Sequence, residues 1–203
     1  MRSTEEILHE GIQAGQFGGE SKPHGEHAMG FVAFLSDPVT EFSGSVIDIG
    51  SGAGLPALIL ADAYDATSWT LIERRSGRTD LLARAIQRLE FADRVSVLAQ
   101  DAAVAARGEL RGTADWVTAR SFGPPGDTAE CAAPFLRPGG HLLVSEPYDS
   151  MLDQRWPSDG LAQVGLELVS DWETAAGRYV RFRRTTQEID QIPRKGARKK
   201  LLF

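Results

Sequence analysis

The 203-residue chain predicts an α/β fold: a mostly parallel sheet of seven strands with helices on both faces, ending in an antiparallel hairpin. Three observations predict it. Short apolar runs alternate with helical patterns from residue 45 to residue 145, the arrangement that builds a parallel sheet covered on both sides. The first of these runs leads directly into a glycine-rich turn, Gly50-Ser51-Gly52-Ala53-Gly54. The last two strand patterns, residues 166–172 and 179–184, are separated only by Glu173-Thr174-Ala175-Ala176-Gly177, which suits a hairpin.

Taken in order, residues 1–45 read as a helical extension. Thr4 caps a first helix through Leu8, residues 15–25 form a Gly/Pro-rich loop, and residues 27–35 make a helix ended by Asp37-Pro38. Residues 45–49 are a buried strand, and residues 55–63 a helix that tolerates Pro56 in its first turn. Residues 69–73 form the second strand. Ser76 caps a helix with Leu82, Ala85, Ile86 and Leu89 on one face. Residues 94–99 and 116–119 are strands three and four. Residues 129–136 are helical, Pro138-Gly139-Gly140 is a sharp stop, and residues 141–145 are strand five. The whole reads as one domain over 1–203, with the extension 1–45 in front and a basic tail, 186–203, behind.

Composition narrows the function. The apolar fraction of 42% and charged fraction of 25% are those of an ordinary globular protein. The chain carries no apolar run long enough to span a membrane, and Glu5, Glu6 and Glu10 stand where a secretory signal needs basic residues. A lone cysteine, Cys131, fits the cytoplasm, and no Cys/His spacing suggests a metal site. The net charge of -6 is unevenly spread: from residue 178 onward there are nine Lys/Arg against two acids. A basic tail on an acidic body permits localised nucleic-acid binding; the plain alternative is a solvated terminus.

Open α/β sheets bind ligands beyond the carboxyl ends of their strands, and the candidate residues all fall there. The turn reads Asp48-x-Gly50-x-Gly52-x-Gly54, with Leu55 where a dinucleotide fold wants its third glycine. That spacing resembles the nucleotide turn of S-adenosylmethionine-dependent methyltransferases with the class I, Rossmann-like fold. Gly50, Ser51, Gly52, Gly54 and Leu55 are then cofactor-binding candidates, with Asp48 ordering the turn by accepting backbone N–H bonds. Glu73, beside Arg74, ends strand two, where a carboxylate accepts both hydroxyls of a ribose; otherwise it is a surface acid pairing with Arg74 or Arg75. Asp101 and Ala102 follow strand three and suit an adenine, or Asp101 is only a helix cap. Arg120 ends strand four, facing the transfer point. Its planar donor fork suits the cofactor's carboxylate or a nucleic-acid phosphate, or it simply buttresses the glycine turn; it is the candidate catalytic residue. No Asn-Pro-Pro-Tyr-type amine site and no cysteine pair for carbon methylation is present. A guanine N7 needs neither, because its lone pair is free in the neutral base and positioning suffices.

Several segments together resemble the bacterial small-subunit ribosomal RNA guanine-N7 methyltransferase G family, also called glucose-inhibited division protein B. They are Val46 to Pro56, Leu71-Ile72-Glu73-Arg74-Arg75 with Arg78, Val117 to Phe122, and Ile192-Pro193-Arg194-Lys195-Gly196 with Lys199-Lys200. The resemblance implies S-adenosyl-L-methionine as cofactor and small-subunit ribosomal RNA as substrate. It also implies that Arg194, Lys195, Arg198, Lys199 and Lys200 contact RNA. Three departures mark a divergent member, or a descendant with another substrate. Val144-Ser145-Glu146-Pro147 replaces a family Leu-Lys-Gly. The extension keeps only His27 of a His-x-x-Asp-Ser-Leu pattern, and Asp101 stands where an Arg-Ala-Glu element is usual. The alternatives to the RNA enzyme are a small-molecule methyltransferase and a non-catalytic cofactor-binding module.

Overall fold

The computed structural model describes residues 4–13, 15, 21–35, 41–194 and 203. Seven strands form one sheet in the order β3-β2-β1-β4-β5-β7-β6. β1 (Gly44–Ile49), β2 (Thr67–Glu73), β3 (Val95–Ala99), β4 (Ala114–Ala119) and β5 (Leu136–Glu146) run parallel. β7 (Gly177–Arg184) lies antiparallel between β5 and β6 (Leu166–Thr174). This is the class I methyltransferase fold expected from the sequence. The chain leaves β1 toward β2 on one side and enters β4 on the other, so the crevice at the carboxyl ends of β1 and β4 is the switch point where such sheets bind ligands.

Side chains alternate across the sheet and fill two cores. Val46, Leu71, Trp116, Leu143 and Tyr179 pack toward α1 (Thr4–Gln13), α3 (Ala57–Ala63) and α4 (Ser76–Arg88), contributing to one cluster. Ile47, Ile49, Ile72, Val117, Leu142, Val180 and Phe182 pack on the other face. There they meet α5 (Ala102–Ala105), α6 (Pro125–Ala132), α7 (Leu152–Arg155) and α8 (Ser158–Gln163). The central strands are apolar on both faces, which is why their sequences read as near-continuous hydrophobic runs.

The strands fall where the sequence places them, whereas several helix ends differ. α2 (Ser21–Gly30) occupies much of the expected loop and stops where a helix through residue 35 was expected. Pro23 is accommodated near its start, where a missing N–H costs little. Its last carbonyls are taken by the sheet: the Tyr179 hydroxyl donates to His27 O at 2.8 Å and Trp172 Nε1 donates to Gly30 O at 2.8 Å. The chain then continues in turns through Phe34. α4 starts at Ser76, but the cap position is Arg75, whose N–H is held by Glu73 Oε1 at 2.9 Å. α6 runs Pro125–Ala132 rather than 129–136, because Pro134 cannot continue an α-helix; one 3₁₀ turn, Ala133–Phe135, follows. Pro138-Gly139-Gly140 does not end an element. It lies inside β5, where Gly139 takes φ +83° and the register against β4 shifts between Ala114 and Trp116. The hairpin turn shrinks to Ala175-Ala176.

Residues 185–194 pack back on the α5–α6 side. Ile189 and Ile192 are buried in that core. Arg107 donates to the carbonyls of Pro193 and Arg194, and Arg111 to those of Ile189 and Ile192. Glu130, fully buried in α6, receives the backbone N–H of Arg194 at 2.5 Å and its guanidinium at 2.9–3.2 Å. Among the described residues no helix is long and apolar enough to cross a membrane, and no group of three or more His, Cys, Asp or Glu could hold a metal.

Candidate active site

The glycine turn is built from β1 outward. Gly50 N and Ser51 N both donate to Ile72 O of β2, at 2.8 and 3.1 Å, which bends the chain back over the sheet edge. Gly50, Gly52 and Gly54 all have positive φ (+69°, +56° and +97°), where a side chain would be strained. A Cβ on Gly50 would also come within 2.9 Å of Phe122 Cδ2, so the Phe122 ring lies directly against the turn. Ser121 positions that ring through a left-handed backbone (φ +52°), unusual for a residue with a side chain.

Asp48 does not accept the turn's backbone N–H groups as expected. Its carboxylate lies beneath the turn, 1% exposed, where Oδ1 accepts the Thr118 hydroxyl at 2.6 Å and Oδ2 has no hydrogen-bond partner. Burial raises its pKa to about 7, further helped by the Glu73 charge and opposed by the Thr118 hydrogen bond and Arg120. Glu73 does the ordering instead. It is buried at the end of β2, with Oε2 accepting Gly52 N at 3.1 Å and Arg78 Nη1 3.8 Å away. The turn is therefore tied to the neighbouring strand's acid rather than to its own.

A cavity of about 330 Å³ opens in front of these groups, lined by Gly50, Glu73, Arg74, Asp101, Ala102 and Phe122 among others. Five of the expected cofactor residues thus share one wall. Asp101 Oδ1 also accepts Ala103 N at 2.9 Å as the cap of α5, so the plain helix-cap alternative is realised. Ser51, Gly54 and Leu55 lie elsewhere. The Ser51 hydroxyl donates to Asp48 O at 2.9 Å, Gly54 leaves room for Leu58 and Leu82, and Leu55 packs with Leu8 and Ala28. Gln100, Arg75 and Arg78 line the cavity without having been expected there. Arg78 sits two residues into a helix whose face carries Leu82, and only the packing of α4 on β2 turns it toward Glu73.

A second cavity, of about 360 Å³, lies at the carboxyl ends of β4 and β5 and shares Ser121 and Phe122 with the first. His27, Arg120, Glu146, Arg155 and Trp156 are in its wall. Arg120 Nη2 meets His24 Nδ1 at 3.1 Å, while its buried Nη1 has no hydrogen-bond partner. Burial lowers the Arg120 pKa against the opposing charges of Tyr179 and Asp48. The same neighbourhood depresses His27 to about 4, through burial first and the Arg120 charge second. Glu146, whose side chain is 2% exposed, is gripped by Arg155: Nε to Oε2 at 2.5 Å and Nη2 to Oε1 at 3.5 Å. It therefore faces the cavity as half of an ion pair, not as a bare charge.

Of the five tail cations, Lys195, Arg198, Lys199 and Lys200 lie outside the described residues. Arg194 is paired with Glu130, with about a third of its side chain exposed.

Residues 32–148, which include the glycine turn, Glu73, Asp101, Arg120 and Glu146, match the family model described as rRNA small subunit methyltransferase G, or GidB. The chain belongs to this family. Ribosomal RNA small subunit methyltransferase G of Salinispora arenicola is 39% identical over 103 residues, covering 49% of this chain and 43% of that protein. The Kineococcus radiotolerans protein of the same name is 34% identical over 168 residues, 82% of this chain and 61% of that protein. The matches thus span from under half to about three-fifths of the GidB relatives' length. Among solved structures, the antibiotic-resistance methyltransferase Kmr superposes with a TM-score of 0.55 at 19% identity, covering 77% of this chain and 93% of that one. TYW2 of P. horikoshii, in complex with MeSAdo, gives 0.55 at 16% identity over 80% of this chain and 61% of that one. At such identities these two establish the fold only.

Proposed function

We propose that the protein is an S-adenosylmethionine-dependent methyltransferase that modifies a guanine N7 in small-subunit ribosomal RNA, in the cytoplasm. The observation that carries this reading is the pair of cavities meeting at Ser121 and Phe122, one walled by Glu73 and the glycine turn, the other by Arg120 and Glu146. The first fits the cofactor. Each Glu73 oxygen holds one backbone N–H and keeps a lone pair free for a ribose hydroxyl. Gln100, Asp101 and Ala102 stand where the adenine would lie, and Gly50 lets the methionine part approach the backbone. When bound, the cofactor supplies a sulfonium methyl carbon, which a neutral N7 lone pair takes while the S–C pair stays on sulfur and no proton need leave. The protein's part is therefore alignment. Ser121 and Phe122 define where the two reactants meet, and the unpartnered Arg120 Nη1 offers a donor to the acceptor molecule. Names of the family members supply the substrate class, ribosomal RNA. Lys195, Arg198, Lys199 and Lys200 would supply the phosphate contacts.

Calorimetric titration with S-adenosylmethionine is expected to show one site; absence of binding at millimolar cofactor would refute the reading. Labelled methyl is then expected on small-subunit RNA and not on small amines or phenols. Transfer to a metabolite fraction would instead support a small-molecule enzyme. One observation favours that second reading: Arg178, Arg183, Arg184 and Arg194 are occupied by protein acceptors, leaving fewer cations for RNA than the sequence suggests.

A further inference from the structure

We infer that Glu146 is the residue that selects guanine, its carboxylate accepting the N1–H and the N2 amino group of the target base. The inference rests on the methyltransferase reading above and adds the acceptor's contacts to it. Glu146 ends β5 and lines the cavity that adjoins the cofactor side at Phe122. Arg155 satisfies Oε2 well, at 2.5 Å, but reaches Oε1 only at 3.5 Å, the outer limit of a hydrogen bond. An ionised carboxylate has about four acceptor positions over its two oxygens, so a buried one held in this way retains acceptor capacity. Burial makes unused capacity costly and a matching pair of donors correspondingly favourable.

Among the four RNA bases only guanine offers two adjacent donors, N1–H and N2–H, on one edge. Adenine and cytosine would set a ring-nitrogen lone pair against the carboxylate, and uracil offers a single donor between two carbonyls. Arg120 and Trp156 line the same cavity, and each has a buried N–H without a partner, Nη1 and Nε1. The placement also suits the chemistry. N7 is on the edge of guanine opposite N1 and N2, so a base held by Glu146 from that side turns N7 away from it. Methylating N7 puts a positive charge on the ring and makes N1–H more acidic, so its bond to a carboxylate strengthens as the methyl arrives, which lowers the barrier. Arg155 keeps the carboxylate aimed.

The test separates base reading from mere support of α7. Saturation-transfer NMR on the full chain with S-adenosylhomocysteine measures binding of guanosine, inosine and adenosine 5′-monophosphates to the wild type, Glu146→Gln and Arg155→Met. Inosine lacks only the N2 amino group. The wild type is expected to prefer the guanine nucleotide over the other two by about tenfold or more, the worth of roughly one charge-assisted hydrogen bond. Glu146→Gln is expected to lose that preference, and Arg155→Met to keep it with weaker binding overall. Equal binding of all three nucleotides by the wild type, or no binding of any, overturns the assignment. So does an equal loss of preference in both variants, which would make Glu146 a structural partner only. Methyl transfer to small-subunit RNA, measured alongside, judges the enzyme reading separately: transfer with no guanine preference overturns the role of Glu146 alone. Preference without transfer to RNA overturns the ribosomal substrate and leaves the base reading standing.

Discussion

The carboxyl group of Asp48 sits under the glycine turn, where water cannot support its charge and the Thr118 hydroxyl bonds one of its oxygens. Its folded pKa of about 7 exceeds the ordinary value of 3.8, so folding favours the protonated form. Stability from this group is fully present below about pH 3.8, declines as pH rises, and is lost above about pH 7. Asp48→Asn removes the titration while keeping the hydrogen bond from Thr118. Denaturant unfolding of both proteins from pH 4 to pH 8 is expected to show the wild type losing ground to the variant, by at most roughly 4 kcal/mol. Because His27 and His141 titrate identically in both proteins, parallel curves would show that Asp48 is not the source. At this scale the sequence identified Asp48, Glu73 and the glycines by spacing, but not which acid holds the turn. That assignment depends on the parallel pairing of β1 with β2, which ends β2 beside the turn and brings the Glu73 carboxylate to Gly52 N.

The segment from residue 185 to Arg194 is an element without regular structure, held by side chains that belong to other elements. Glu130 is its anchor, and a buried carboxylate that loses its cation is destabilising by about 3–5 kcal/mol. Arg194 retains 34% exposure, so water screens part of that cost. Arg194→Ala is expected to lower stability by about 2 kcal/mol, read from the urea midpoint. Glu130→Gln with Arg194→Ala is expected to recover part of it, because the buried carboxylate charge is removed together with the guanidinium. Little of this was legible in the sequence, where Arg194 belonged to a basic run and Glu130 to an ordinary helix. The strands were legible because burial on both faces leaves a continuous apolar run. The ends of α2 and α6 were not, since Trp172 and Tyr179 decide one from far along the chain, and Pro134 sits amid residues otherwise suited to a helix. α5 is only four residues long and has no room for a periodic pattern.

For the molecule as a whole, the basic character of the last 26 residues is largely internal. Arg178 pairs with Asp171, Arg183 with Glu167 and Arg194 with Glu130, while Arg184 donates to Gly165, Thr185 and Gln187 carbonyls. With Arg181 buried in β7, that leaves Lys195, Arg198, Lys199 and Lys200 as the tail's candidates for phosphate contact. If they account for binding, the logarithm of RNA affinity against the logarithm of salt is expected to slope at about −3, and alanine at all four positions to flatten it. A much steeper slope that survives the four substitutions would move the RNA path to another face, with Arg74 and Arg75 the first to examine. The fold puts the two cavities side by side, with Ser121 and the Phe122 ring in the wall of both. A single ligand could therefore reach around that ring: a nucleoside joined to a guanine by a short tether would fill both chambers at once. Its second half would bind as if present at millimolar concentration, so the wall across which a methyl group would pass is also a place where one inhibitor can close two sites.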